Sequence, residues 1–237
     1  MSFHYAEYGD NGGLQDYEYG VLPGVTARIS RTDQAWFVAG KISYYAGDVL
    51  YDGRTQAGVP VTTRTDEKIL DLFLQVGHQF RPIDHFGYAL YAGVGHHRWD
   101  RDIRSTRTVS GLTEFYRWEY AAIGAKVILH ETNRAAWEMD LRWQRVLNPT
   151  LDINFRGIFD STQLALGERS GFYFSVPWTR RLSERLQFSI EPYYERWELG
   201  RSANKSITAQ GVAAGTVFEP SSVMNNRGVA ASITSSF

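Results

Sequence analysis

The sequence predicts an all-β chain, a transmembrane antiparallel up-and-down β-barrel of ten strands. Three observations predict it. Apolar and polar residues alternate with period two in one segment after another. The links between these segments are alternately short and long. An even strand count returns both chain ends to the short-turn side.

Strands are expected at 2–8, 21–30, 35–47, 67–80, 87–99, 115–129, 135–145, 170–180, 186–198 and 226–237. In the second, Val25, Ala27 and Ile29 alternate with Thr26, Arg28 and Ser30. In the fourth, Leu70, Leu72, Leu74 and Val76 alternate with Asp71, Phe73 and Gln75. The seventh splits most sharply: Trp137, Met139, Leu141 and Trp143 against Glu138, Asp140 and Arg142. Phe172, Phe174, Val176 and Trp178 mark the eighth, and Phe188, Ile190 and Tyr194 interleave with Ser189, Glu191 and Glu195 in the ninth. The last sets Val229, Ala231, Ile233 and Phe237 against small polar residues. Short links fall at 31–34, 81–86, 131–134 and 181–185, and long Gly- and charge-rich excursions near 9–20, 48–66, 100–114, 146–169 and 199–225. Pro82, Pro149 and Pro220 suit connections. Pro23, Pro177 and Pro192 fall inside proposed strands, where a closed barrel has no free edge and only a strand end or bulge accommodates them.

No linker or low-complexity tract divides the chain, so residues 1–237 are read as one domain. With no cysteine, disulfides and thiolate metal sites are excluded. A net charge of −1 gives no electrostatic case for nucleic acid. The best apolar run, Tyr120 to Leu129, is too short for a membrane helix and contains Lys126. The first residues lack the basic start and apolar core of a signal peptide, so an exported protein would be met here in its mature form, after signal-peptide removal.

Alternation alone leaves open which face looks inward. A soluble ten-stranded barrel would bury the apolar face; a membrane barrel turns it to lipid and fills the lumen with polar groups. The second reading is favoured by a nearly balanced charge set for the lumen: Arg28, Lys41, Asp71, Arg117, Glu119, Glu138, Asp140, Arg142, Glu191 and Glu195. It is also favoured by aromatics toward strand ends, with Trp118, Trp137, Trp143 and Trp178 expected at the lipid interface. Trp137 and Trp143 would stand roughly 15 Å apart along the membrane normal. Four tryptophans directly follow an arginine: RWDR (98–101), RWEY (117–120), RWQR (142–145) and RWEL (196–199). Trp118 and Trp143 would face lipid, with Arg117 and Arg142 in the lumen. Trp197 shares parity with Glu191 and Glu195, and Trp99 opposes Leu90 and Val94, so either bulges shift the register there or those rings point inward.

The terminal segment NRGVAASITSSF completes an alternating strand on Phe237. With the hairpin pattern, it resembles the small bacterial outer-membrane β-barrel proteins over the whole chain. Their C-terminal aromatic is an assembly signal read by the barrel-assembly machinery; Ser235 stands where a penultimate aromatic is usual. The resemblance implies an outer-membrane location, contact with membrane lipid and lipopolysaccharide, and a monomer.

The most site-like sequence is HHRWDRD, bringing His96, His97, Asp100 and Asp102 near the loop end of the fifth strand. Histidine with carboxylates binds metal or activates water, but adjacent His96 and His97 face opposite ways in a regular strand, and a polar rim is the favoured reading. In outline this resembles the omptin proteases, which use paired acids and a His-Asp couple at the outer rim, although those motifs do not align here. No phosphate loop, nucleophile elbow or HExxH occurs. Loop arginines and aromatics (Tyr51, Arg54, Arg101, Arg104, Arg107, Phe155, Arg156, Phe159, Arg201) suit recognition of lipopolysaccharide phosphates, a glycan or a protein. No catalytic residue, metal or cofactor is assigned. The expected role is a structural or surface-interaction barrel with a filled lumen, ahead of a narrow channel for small polar solutes or ions, and then of a rim hydrolase.

Overall fold

The computed structural model describes residues 1–9, 11–55, 58–83 and 86–235. They form strands β1 (Ser2–Tyr8), β2 (Leu14–Val21), β3 (Gly24–Asp33), β4 (Trp36–Arg54), β5 (Pro60–Ile83), β6 (Phe86–Ile103), β7 (Leu112–Glu131) and β8 (Ala135–Asn154). There follow β9 (Thr162–Ala165), β10 (Ser170–Ser175), β11 (Trp178–Arg181), β12 (Leu186–Leu199), β13 (Lys205–Ala209), β14 (Val212–Val217) and β15 (Ser221–Ser235). All pairings are antiparallel. β2 with β3, and β10 with β11, each act as one wall strand broken by a proline. The ring therefore has ten staves, closed where β15 pairs with β1 and β12. Pro23 and Pro177 sit at those breaks, and their carbonyls still accept from Ala46 (3.1 Å) and Glu138 (3.0 Å), so the ladder is bridged. Pro192 lies within β12, opposite Val229.

β4 to β8 are 18 to 24 residues long. That is about twice the 9–11 residues a tilted strand needs to cross a bilayer. The excess lies at the end away from the short turns, so most of the expected long excursions are strand. Among the described residues, β9, the β13–β14 hairpin and short loops make up the rest of that end.

The outer wall accordingly has two zones. Nearest the short turns, Val38, Ile42, Leu72, Leu74, Val94, Ile123 and Leu141 point outward and lie exposed. This belt fixes the fold as a barrel of the transmembrane type. Beyond it the outward positions become charged and pair on the surface, as Arg98 with Asp100 (2.8 Å) and Arg196 with Glu198 (2.8 Å). There the wall meets water on the outside, so the soluble pattern returns: charge out, ring in.

This second zone corrects three expectations. Trp118 is not at the lipid interface; it is 1% exposed, inside the barrel. Arg117 and Glu119 are not in the lumen; they point outward, Arg117 pairing with Asp152 and Glu119 facing His96 at 3.5 Å. The reason is continuity: β7 pairs with β6 without a shift from Leu112 to Val127, so placing Ile123 and Val127 toward lipid forces Arg117 and Glu119 to the same outer face. Trp99 and Trp197 also point inward, at 0% and 1% exposure. Of the four Arg-Trp pairs only Trp143 looks outward, with Arg142 inside.

Lumen glycines let rings lie flat on the wall. A Cβ on Gly95 would fall 2.1 Å from the Tyr120 ring, and one on Gly124 would fall 2.3 Å from that of Tyr91. Both tyrosines hold lumen carboxylates, so these two glycines help set the charge network.

Candidate functional site

Three tiers fill the lumen. Inside the apolar belt lies a charged network. Asp71 Oδ2 lies 3.1 Å from His97 Nδ1 and accepts from the Tyr120 hydroxyl at the same distance. Arg142 faces Glu195 at 3.4 Å and lies over the rings of Phe73 and Tyr173. The Tyr173 hydroxyl donates to Glu191 (2.7 Å), and Lys41 lies over the same ring. Asp140 accepts from Tyr91 (2.5 Å) and faces Lys126 at 3.8 Å. Glu138 and Arg28 line the short-turn end of this space. Arg28, Lys41, Asp71, Glu138, Asp140, Arg142, Glu191 and Glu195 thus share one interior. Lys126 was missed, though its parity with Gly124 and Ala122 marks it as inward.

Above this tier lies a layer of large rings. Phe3, Trp99, Tyr116, Trp118, Tyr120 and Trp197 are each fully buried. Trp118 stacks on His97 with centroids 4.2 Å apart, and Trp197 meets Trp118 and Tyr120 edge-on at 5.5 and 4.9 Å.

The third tier lies beyond the belt. Arg101, 1% exposed, faces Glu114 (2.7 Å), Glu18 (3.1 Å), Glu7 (3.6 Å) and Glu67 (3.8 Å). Its guanidinium lies over Tyr5 and Trp99. Trp99 Nε1 donates to Glu67, and Tyr116 and Tyr5 donate to Glu219 at 2.6 and 3.1 Å. One cation thus stands among five carboxylates. Burial, with the neighbouring charge of Glu114, pushes the Glu219 carboxyl up to about 8. A cavity of about 820 Å³ opens above this tier, with Glu7, Glu114 and Glu219 on its floor and Phe155, Phe159 and Phe218 among its walls. It offers both proton donors and acceptors beside apolar surface. Arg101 was expected among exposed loop residues; β6 extends through it and turns it inward, beneath the mouth cavity and among the glutamates.

The rim quartet does not converge. His97 points into the lumen and His96 outward to Glu119; Asp100 pairs with Arg98, and Asp102 with Arg156. Among the described residues no group of three or more His, Asp or Glu side chains is placed to hold a metal ion. Of the interface aromatics, Trp137 and Trp143 are 43% and 49% exposed on the belt, and Trp178 lies 6.4 Å from Trp137 between centroids. Phe237 lies outside the described residues.

No protein-family model matches this chain, and no curated protein sequence matches it. Among solved structures, the outer-membrane protease OmpT of Escherichia coli is similar over 99% of this chain and 92% of its own length, with a TM-score of 0.60 and 9% identity. At that identity the likeness is one of fold: both are outer-membrane-type barrels.

Proposed function

We propose that the protein is an integral barrel of a bacterial outer membrane that works as a sealed scaffold, presenting its extended end and mouth cavity to the outside for surface interactions. The short turns would face the periplasm. The apolar belt supports the location. The observation that supports the role is the buried ring layer of Phe3, Trp99, Trp118, Tyr120 and Trp197, packed ring against ring across the lumen. A ten-stranded tube is barely wider than the eight-stranded kind that side chains fill. His97 and Asp71 lend no support to a hydrolase, because both are buried, with the His97 ring packed against Trp118 and Trp197. Surface arginines of the extended zone suit contact with lipopolysaccharide phosphates, and the monomer is the expected unit. Planar-bilayer recording of the reconstituted protein tests the role: silence is expected, and steady open steps would replace the scaffold with the channel.

A further inference from the structure

The mouth cavity is built of two unlike surfaces. Its floor carries Glu7, Glu114 and Glu219, with Asp16 also lining it, and its walls are apolar, among them Leu112, Ile153, Phe155, Phe159, Ile207 and Val217. Phe155 and Phe159 meet edge-on at 5.4 Å, and Ile153, Ile207 and Val217 are buried. The rim cations are engaged elsewhere or open to water: Arg54 and Arg104 are exposed, and Arg104 holds Asp66 on the outer wall at 2.5 and 3.0 Å. The volume, about 820 Å³, is that of a small-molecule site.

One acceptor on the floor has no donor. Glu7 is 5% exposed and lines the cavity, yet among the described residues it accepts no hydrogen bond. Arg101 Nη1 stands 3.6 Å away, but it gives its two protons to Glu114 (2.7 Å) and Tyr116 (3.2 Å). Arg101 therefore lends Glu7 charge without a proton, and shares that charge with Glu18, Glu67 and Glu114. A carboxylate so placed gains from any cationic donor that reaches it. Among the described residues no three acids converge as metal ligands, and a bare ion would leave the apolar walls in water. A charged head on an apolar body satisfies both surfaces.

We propose that the mouth cavity binds a small organic cation, a primary amine on an aromatic or alkyl body. Its ammonium donates to Glu7 between Glu114 and Glu219, and its body lies against Phe155, Phe159 and Ile207. The inference deepens the scaffold reading, on which it rests for a mouth that faces outward.

Proton linkage accompanies the binding. Burial, then the charges of Glu219 and Asp16, hold the Glu7 carboxyl well above the usual carboxylate range, and Glu219 titrates at about 8. Glu18, Glu67, Glu114 and Arg101 face the same floor, and burial keeps the Tyr5, Tyr51 and Tyr116 hydroxyls neutral. A cation among these groups favours the ionised carboxyls, so amine binding at neutral pH should release protons.

Calorimetric titration of phenylbutylamine into the full chain in detergent micelles, with protein-free micelles as the blank, tests the site. Saturable binding is expected, with proton release read from buffers of different ionisation heat. The trimethylammonium analogue, which lacks an N–H, and phenylbutanol, which lacks the charge, should each bind roughly tenfold or more weakly. Glu7→Gln keeps the shape of the floor and removes its charge, so it should weaken the amine by a similar factor and leave phenylbutanol unchanged. Heats matching the blank, equal affinity for the trimethylated amine, or an unaltered affinity in Glu7→Gln would overturn the proposal. Silent bilayers without amine binding would sink the site and leave the scaffold; conductance steps with amine binding intact would do the reverse.

Discussion

Leu74→Arg tests the inversion on which the membrane reading stands. Leu74 points outward on β5 between Gly40 and Val94, and is 54% exposed. The outward row carries charge again at Lys68 on one side and a polar ring at His78 on the other. At about 3.3 Å per residue and a 40° tilt, those ten residues cover about 25 Å, the height of an outer-membrane apolar band. Leu74 then lies about 10 Å from the His78 edge and 15 Å from the Lys68 edge, near the midplane. Neighbouring Gly40 offers no side chain to carry the guanidinium toward water. An arginine there should cost about 2–4 kcal/mol, lowering the folding equilibrium constant about 30- to 700-fold. The assay is reversible guanidinium unfolding from phospholipid vesicles, followed by tryptophan emission. Thr62→Arg, outward on the same strand but beyond the belt, should stay within about 0.5 kcal/mol of the wild type. Equal midpoints for Leu74→Arg and wild type in lipid, or a stable detergent-free monomer, would refute the inversion.

Three further outcomes are expected. Trp118→Ala should cost about 3–5 kcal/mol for the cavity left beside His97 and Trp197, read as a lowered guanidinium midpoint; paired with Trp197→Ala, it should produce conductance steps that the wild type lacks. Arg101→Leu should cost about 3–5 kcal/mol at neutral pH by stranding the surrounding carboxylates, and acidification should restore part of that loss as they take up protons. In the wild type, Glu219 binds its proton more tightly folded than unfolded, so stability should fall as pH rises from about 4.5 to about 8 and level off above. Glu219→Gln should flatten that fall, and an unchanged pH profile in melts of the two proteins would contradict it.

The belt was legible in the sequence because lipid and lumen impose opposite demands on alternate residues: Leu70 to Val76 and Trp137 to Trp143 could be assigned from parity alone. The short turns were legible for the same reason, as polar interruptions of that parity. The extended zone was not. Once a strand leaves the bilayer both faces meet polar surroundings or a filled interior, and parity keeps its period but loses its sign. Trp118 was misassigned at that boundary, although following the alternation back from Ile123 would have placed it inside. The mouth tier was illegible for a different reason. Glu7, Glu18, Glu67, Arg101, Glu114 and Glu219 come from β1, β2, β5, β6, β7 and the approach to β15, and nothing local in the sequence joins them.

The two charge clusters also differ in balance, and the belt explains the difference. Within it, Lys41, Lys126 and Arg142 stand among Asp71, Asp140, Glu191 and Glu195, with Arg28, His97 and Glu138 beside them. A tier shielded by lipid on the outside and rings above must stay near neutrality, because an uncompensated ion there has neither water nor counterion to relieve it. The mouth tier carries one arginine against five glutamates, an excess tolerable only where protons and cations can enter. It borders the open cavity, and Glu219 on its floor holds a proton near neutral pH. The charge excess and the ring layer thus mark the same division: on the short-turn side of the rings the charges stay near balance, and on the mouth side the acidic excess borders the cavity.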